Sequence, residues 1–452
     1  MKIIVCGCGK IGSAIIEKLS EEGHDVIVID KEQAVVTEIA NIHDVMGVVG
    51  NCADCETLED AGVAEAELFI AVTGSDEMNM LSCFLAKRMG AGATIARIRT
   101  PEYNDASLEF MKRELGLSMA INPELMAARE LFDILKLPSA AKVEAFARRA
   151  FEVVELKLRE NSPLDGYALR EIAEKFKTRV LVCMVQRDKE FYIPDGNFVL
   201  KSNDKIGIVA SHSEITNFLV RTGLMQKSAK RVMILGGSRT AFYLAKMLEG
   251  SGNTVKIIES NPEKAEELAQ LLPDATIIKG DGAEQELLLE EGLRSMDAFA
   301  ALTGLDEQNI LISIYAQSQS VPKVISKVNR PELSSLAEKL GVDSVISPKN
   351  VIADVLVQYA RALENSRGSN VETMYNLMDG AAEALEFSVN SASNVTNVPL
   401  RDLTLKPNII IAGIIRSRRT IVPGGNDMIL SGDRVIVIAA GKKLYDLTDI
   451  AL

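Results

Sequence analysis

Lys2-Ile3-Ile4-Val5-Cys6-Gly7-Cys8-Gly9-Lys10-Ile11-Gly12 runs four apolar residues straight into a G-x-G-x-x-G turn. The pattern predicts a strand, a tight turn and the start of a helix. The first glycine permits the turn, the second lets an anion approach the backbone, and the third lets the helix pack on the strand. Working outward, Val26–Ile29 reads as a second apolar strand and Asp30 stands at its end. A carboxylate about 20 residues past such a turn accepts hydrogen bonds from ribose hydroxyls and repels a 2′-phosphate. Strand, turn, helix and acid thus follow in the order a dinucleotide site requires. Gly7, Cys8, Gly9, Lys10, Ile11, Gly12 and Asp30 are the candidate binding residues.

Apolar strands and amphipathic helices continue to alternate. A helix is expected over Gly12–Leu19, another over Glu32–Ala40 and a third over Asp76–Met89, with strands at Val45–Val49, Leu68–Val72 and Thr94–Ile98. Near-continuous apolar strands separated by helices argue for a parallel sheet covered on both faces. Asn122-Pro123-Glu124 then supplies an N-cap, a proline at the first helical position and an acidic first turn. That helix is expected to run to Leu137, before Pro138, and to connect to a second, smaller lobe.

The whole unit recurs. Arg231-Val232-Met233-Ile234-Leu235-Gly236-Gly237-Ser238-Arg239-Thr240-Ala241 repeats the opening stretch. Thr73-Gly74-Ser75-Asp76-Glu77-Met78-Asn79 returns as Thr303-Gly304-Leu305-Asp306-Glu307-Gln308-Asn309, and Arg97-Ile98-Arg99 as Lys327-Val328-Asn329. The offset between copies drifts by no more than one residue across this stretch, so the chain is a tandem duplication. The rear parts match more loosely, through Pro194-Asp195-Gly196-Asn197 and Pro423-Gly424-Gly425-Asn426, each leading to a β-branched strand. The expected architecture is α/β, with two tandem repeats. Each is a Rossmann-like parallel-sheet lobe followed by a small α+β lobe. The boundaries are drawn at 1–137, 138–226, 227–367 and 368–452.

The second turn departs from the pattern, because Ser238 adds a Cβ where a pyrophosphate approaches most closely. Glu259 still holds the acidic position. This copy is either a second nucleotide site, with Gly236, Gly237, Ser238, Arg239, Thr240 and Glu259 in it, or a structural copy without ligand. Thr73-Gly74 and Thr303-Gly304 fall at the ends of the fourth strands, beside the crevice where such sheets bind ligands. Asp76 and Asp306 after them read as helix N-caps or as ligand contacts. Arg97 and Arg99 alternate onto one face and suit either a phosphate clamp or ordinary ion pairs. Lys327 and Asn329 make the second version weaker.

Composition narrows the function. Lys plus Arg total 50 against 63 Asp plus Glu, a net charge of −13, and there is no tryptophan. A chain so acidic lacks the electrostatic footprint of a nucleic-acid binder. The apolar stretches are far shorter than the ~20 residues of a spanning helix, and the N-terminus enters a strand rather than a signal peptide. A cytoplasmic location is expected. Six cysteines suit a reducing compartment. Cys52-Ala53-Asp54-Cys55 is a C-x-x-C, with Cys6 and Cys8 expected near the same face; no histidine is spaced to complete a metal set, so buried hydrophobes are the expected role. No acid/base constellation stands out, which leaves an NAD-dependent dehydrogenase with a duplicated architecture as the alternative reading and no catalytic residue to name.

Taken together, the doubled glycine lobe, the acidic ribose position, the Thr-Gly-x-Asp-Glu-x-Asn segment and the small rear lobe resemble the regulator-of-K⁺-conductance (RCK) family. The double copy in one chain is similar to the cytosolic regulatory subunits of Trk-type potassium-uptake systems. The resemblance implies a gating ring, a homo-oligomer such as a tetramer, peripheral on the inner face of the membrane through a Trk-type potassium channel subunit. It implies NAD(H) and/or ATP/ADP as regulatory ligands. Gly7, Gly9 and Gly12 would cradle phosphates, Asp30 would hold ribose, and Asn51 would lie near the adenosine, with Asp281 at the matching position of the second copy. Thr73 and Gly74 would line the crevice, and Arg97 and Arg99 would sense the terminal phosphate.

Overall fold

A computed structural model describes the 452-residue chain except for residues 101–104, 138, 141, 147–149, 189, 226–227, 343, 366–370, 391–392 and 418. Pro138 and the expected boundaries at 226/227 and 367/368 lie outside the described residues.

In the first front lobe, six strands alternate with helices. They are β1 (Lys2–Cys6), β2 (Asp25–Asp30), β3 (Met46–Val49), β4 (Leu68–Ala71), β5 (Ala93–Arg97) and β6 (Met119–Ile121). Their spatial order is β3-β2-β1-β4-β5-β6, and all pairs are parallel. The reversal between β1 and β4 is the switch point at which such sheets leave a crevice beyond the strand ends. Helices α1 (Lys10–Glu21), α2 (Gln33–His43), α3 (Cys55–Asp60), α4 (Asp76–Met89) and α5 (Asp105–Leu115) cover the sheet, and α6 (Pro123–Lys136) leaves it. Ile3 and Val5 pack into one layer while Ile4 and Cys6 pack into the other, so β1 is buried on both faces. That two-sided burial is why the strand carries no polar alternation.

A five-stranded antiparallel sheet follows: β7 (Lys142–Phe146), β8 (Phe151–Lys157), β9 (Leu181–Arg187), β10 (Glu190–Tyr192) and β11 (Lys205–Ala210), in order β10-β9-β11-β8-β7. Helices α7 (Leu169–Phe176) and α8 (His212–Arg221) accompany it.

The second front lobe repeats the first. Its strands are β12 (Arg231–Leu235), β13 (Thr254–Glu259), β14 (Thr276–Lys279), β15 (Ala298–Ala301), β16 (Lys323–Lys327) and β17 (Ser344–Ile346), in order β14-β13-β12-β15-β16-β17. Its helices are α9 (Arg239–Glu249), α10 (Pro262–Leu271), α11 (Gln285–Glu290), α12 (Asp306–Ser318), α13 (Pro331–Lys339) and α14 (Pro348–Asn365). The second rear sheet holds β18 (Val371–Leu377), β19 (Ala382–Ser388), β20 (Ile409–Arg416), β21 (Arg419–Ile421) and β22 (Arg434–Ala440). Among its described residues helical structure is limited to 3₁₀ turns, so the helices of the first rear lobe have no counterpart there.

The repeats are interlocked rather than strung in line. α6 leaves the first lobe and buries Ala127, Ala128, Leu131, Ile134 and Leu135 against α9 of the second. α14 leaves the second lobe and buries Ile352, Leu356 and Ala360 against α1 of the first. The two rear sheets share a core in which Phe146, Phe151 and Met184 meet Leu377, Ile436 and Ile438.

Candidate nucleotide-binding site

The chain turns at Gly7, where β1 ends, and α1 begins inside the glycine motif. Gly12 must be glycine, because a Cβ there would lie 1.8 Å from the Gly7 carbonyl oxygen. At Gly9 an added Cβ would meet nothing within 4 Å, so the turn opens onto free space. Gly9 is the N-cap of α1 and no side chain caps the helix. The leading N–H groups of α1 therefore face that space without a side-chain acceptor, the condition for an anion site.

Asp30 is set at the lip of the same space. Its Oδ2 accepts the Cys8 N–H at 2.8 Å and its Oδ1 accepts the Glu32 N–H at 3.1 Å. Those bonds orient the carboxylate and leave lone pairs for hydroxyl donors.

The opposite wall is locked by Asn79. Its Oδ1 accepts from the Thr73 N–H and from the Thr73 hydroxyl, each at 2.7 Å, while its Nδ2 donates to the Arg97 carbonyl at 2.9 Å. The Arg97 side chain donates to the Thr73 carbonyl, yet its Nε is buried with no partner. Arg97 is 7 % exposed, and burial, with Arg99 beside it, lowers its pKa from the ordinary arginine value. Arg99 is occupied elsewhere. Its N–H donates to Asp76 Oδ2 and its Nη2 to the Gly74 carbonyl, both at 2.8 Å. Asp76 also accepts the Thr100 N–H at 2.9 Å and hydroxyl at 2.6 Å, so it pins the exit of β5. Ser75, not Asp76, caps α4, and Leu305 stands at that position before α12. The expected cap role of the two aspartates is thereby corrected: Asp306 accepts the Asn329 and Arg330 N–H groups as Asp76 accepts those of Arg99 and Thr100.

One cavity of about 1340 Å³ joins both repeats. From the first repeat it is lined by Gly7, Gly9, Lys10, Ile11, Asp30, Asn51, Thr73, Gly74 and Arg97, and from the second by Ser238, Arg239, Thr240, Gly304 and Lys327. Cys8, Gly12, Arg99, Gly236, Gly237, Glu259, Asp281 and Thr303 are not in its lining. Cys8 and Gly12 shape the first turn from behind. The sequence missed Arg330, Glu124 and Lys349, which also line the cavity. Nothing in either repeat alone signals that the other faces it. Burial pushes the Lys327 ammonium down, opposed by Asp306 and Glu124 and reinforced by Lys10 across the cavity.

The second turn is closed by its own chain. The Ser238 hydroxyl accepts the Ala241 N–H at 3.3 Å and caps α9. Glu259 accepts the Gly237 N–H at 2.6 Å and the Asn261 N–H at 2.7 Å, the same pair of bonds that Asp30 makes in the first repeat. A Cβ at Gly237 would lie 2.5 Å from Leu268 Cδ1. Asp281 accepts the Ala283 N–H at 2.9 Å in a local turn.

Cys6, Cys8, Cys52, Cys83 and Cys183 are buried and Cys55 is exposed; all six are free thiols. Cys8 packs in the layer opposite Cys6, against the expectation that they share a face. No group of three His, Cys, Asp or Glu among the described residues could hold a metal ion. No helix among them is long and apolar enough to cross a membrane.

The fold is a doubled chain of Rossmann-type lobes with a cavity between them, each lobe followed by a small antiparallel lobe. Residues 3–123 and 232–348 match the TrkA-N domain, and residues 153–220 and 384–451 match the TrkA-C domain. The chain belongs to the TrkA family. It is 31% identical over 450 residues to a Trk system potassium uptake protein TrkA homolog of Archaeoglobus fulgidus, covering 100% of each. It is 31% identical to the Trk system potassium uptake protein TrkA of Haemophilus influenzae, covering 98% of this chain and 96% of that one. Among solved structures, the GsuK channel bound to NAD superposes with a TM-score of 0.64 at 17% identity, covering 97% of this chain and 77% of that one. The GsuK RCK domain does so with a TM-score of 0.64, also at 17% identity, covering 97% and 92%. These last two share the fold. The two relatives named are proteins of Trk potassium-uptake systems.

Proposed function

We propose that this chain is the cytosolic, nucleotide-responsive regulatory subunit of a Trk-type potassium-uptake system, held on the inner face of the membrane by its channel partner. It binds NAD(H) or ATP/ADP in its first repeat and passes the bound state to the membrane subunit. The observation that carries the reading is the shared cavity: an uncapped α1 N-terminus at Gly9 and a poised Asp30 on one side, and Arg239 and Lys327 of the other repeat facing them. Gly7, Gly9 and α1 would take the phosphates, Asp30 the ribose hydroxyls, and Asn51 the adenosine side. Arg97, buried with an unpaired Nε, and Arg239 would meet the outer phosphates. Arg99 takes a supporting part, since Asp76 and Gly74 already hold it.

The second turn works as a wall. The Ser238 hydroxyl occupies the position an anion would take at α9. One nucleotide per chain, read by both repeats, is the stoichiometry this predicts. A ligand spanning the cavity changes the balance between conformations only through contacts that differ between them. Arg239 and Lys327 supply such contacts if the front lobes shift.

Calorimetric titration with NAD, NADH, ADP and ATP tests the site. Binding at one site per chain is expected, and Asp30→Ala should weaken it about tenfold or more, the worth of hydrogen bonds to a charged group. Unchanged affinity removes Asp30 from the site. Co-purification with a Trk membrane subunit, altered by nucleotide, tests the partner.

A further inference from the structure

The shared cavity has one wall whose chemistry the nucleotide reading does not use. Cys52 lines it, immediately after Asn51. Cys6, the last residue of β1 and directly before Gly7, is buried in the same core layer as Cys52. The same two positions also meet in the second repeat, where they are Leu235 and Gly282: a Cβ at Gly282 would lie 1.9 Å from Leu235 Cδ1. The fold therefore brings these positions face to face in both copies, and only the first copy puts a sulfur at each. The neighbouring thiols are otherwise placed. Cys83 donates to the Ile95 carbonyl at 3.3 Å, Cys8 lies in the opposite layer, and Cys55 is exposed on α3.

We propose that Cys52 and Cys6 form a thiol–disulfide switch in the wall of the nucleotide cavity, set by peroxide and reset by dithiols. The effect on ligand rests on the nucleotide reading above; the disulfide chemistry does not. The Cys52 thiolate attacks a peroxide oxygen, which after protonation leaves a sulfenic acid and releases one water. The Cys6 sulfur then displaces the hydroxyl, forming the S–S bond and releasing a second water. Overall the two thiols lose two hydrogens and two electrons to one peroxide. The roles follow from the environment. The Cys6 thiol beside it brings the Cys52 thiol down to about 7 against the pull of burial, whereas burial pushes Cys6 well above the ordinary cysteine value. A lowered thiol lining a cavity beside a raised, fully enclosed one is the pairing of attacking and resolving thiols. The bond would tie the residue before Gly7 to the residue after Asn51, joining the phosphate and adenosine ends of one site.

The test uses the full-length reduced protein with one equivalent of hydrogen peroxide at about pH 8, above the Cys52 value. Loss of two of the six thiols, a Cys6–Cys52 linked peptide by mass spectrometry and an affinity for ADP changed about tenfold, restored by dithiothreitol, are expected. Cys52→Ser and Cys6→Ala should each block the intramolecular link, and Cys55→Ser should not. The proposal is overturned by a Cys52 peptide joined to Cys83, Cys8 or a second chain, by six thiols surviving peroxide, or by equal ADP affinity in the mapped disulfide form. The wild-type map needs no variant to fold. Reduced protein that binds no nucleotide counts against the function proposed above, while the peptide map still decides the pair.

Discussion

Glycine against serine at one position separates the two copies of the site. Gly9 leaves the α1 N-terminus uncapped, and Ser238 turns its hydroxyl onto α9 and satisfies it. The second repeat then offers side chains, not a cradle. Arg239→Ala should leave binding of ADP nearly unchanged and reduce any preference for ATP about tenfold, one charge-assisted bond's worth; equal ATP to ADP ratios before and after would leave Arg239 outside the phosphate subsite. At this scale the sequence was informative where chemistry is local. The spacing of Gly7, Gly9, Gly12 and Asp30 dictates a turn and an acid on adjacent strand ends, and both are there. It was silent on where the Ser238 hydroxyl turns, because a motif shows the residue and not the N–H that its side chain will accept. Arg97 and Arg99 alternate along one strand, but a side chain's partner, here Asp76 for Arg99, is not written in alternation.

Among the elements, the connector helices bear the strain of joining lobes. Arg361 on α14 is buried and holds Glu22, after α1, through Nε at 2.6 Å, and Glu383 of β19 through a bidentate pair at 3.0 and 2.9 Å. Removing one partner from such a cluster leaves charge buried without a counter-ion. Arg361→Leu should therefore cost about 3–5 kcal/mol in denaturant unfolding, and a loss under 1 kcal/mol would mean that water replaces the guanidinium. The other connector carries a titrating carboxyl at its middle. Burial pushes Glu130 of α6 up to about 7; Lys142 pulls the other way, and Glu144, Asp354 and Glu155 add to the rise. A carboxyl raised above its ordinary 4.5 favours the fold when protonated. Its contribution is complete below about pH 4.5 and is lost as pH rises through 7. Glu130→Gln, which keeps the neutral shape, should gain in Tm over the parent progressively across that interval. A Tm difference flat with pH would show that enough water reaches the carboxyl to level it. Helix and strand spans were legible from apolar periodicity and caps; Asn122-Pro123 marked the start of α6 correctly. Which lobe α6 would seat on was not, since an amphipathic face specifies burial without naming its partner.

The whole molecule carries an exposed apolar strip twice. Leu81 on α4 and Leu311 on α12 occupy matching positions, as do Phe110 on α5 and Leu340 after α13, and all four are exposed. Apolar residues repeated at one register on the outer helices suit self-association, consistent with the proposed homo-oligomer. Leu81→Asp with Leu311→Asp should reduce the mass seen by light scattering toward that of one chain, without loss of the nucleotide site. An unchanged mass would place the contact elsewhere. The duplication was plain in the sequence because register survives in turn residues such as Thr73-Gly74 and Thr303-Gly304. The acidity of the chain, by contrast, gave no hint that Lys10, Arg97, Arg239 and Lys327 gather at one cavity; net charge averages over such local order.

The exchange of α6 and α14 between repeats has a genealogical reading. A half-length ancestor that folded this way would have lent its connector to a neighbour and received one in return, so the present protein is a fused pair of mutually dependent partners. On the function proposed above, fusion lets one partner give up its own ligand without losing its place. Selection then converts a receptor, at Ser238, into the opposing jaw of its twin.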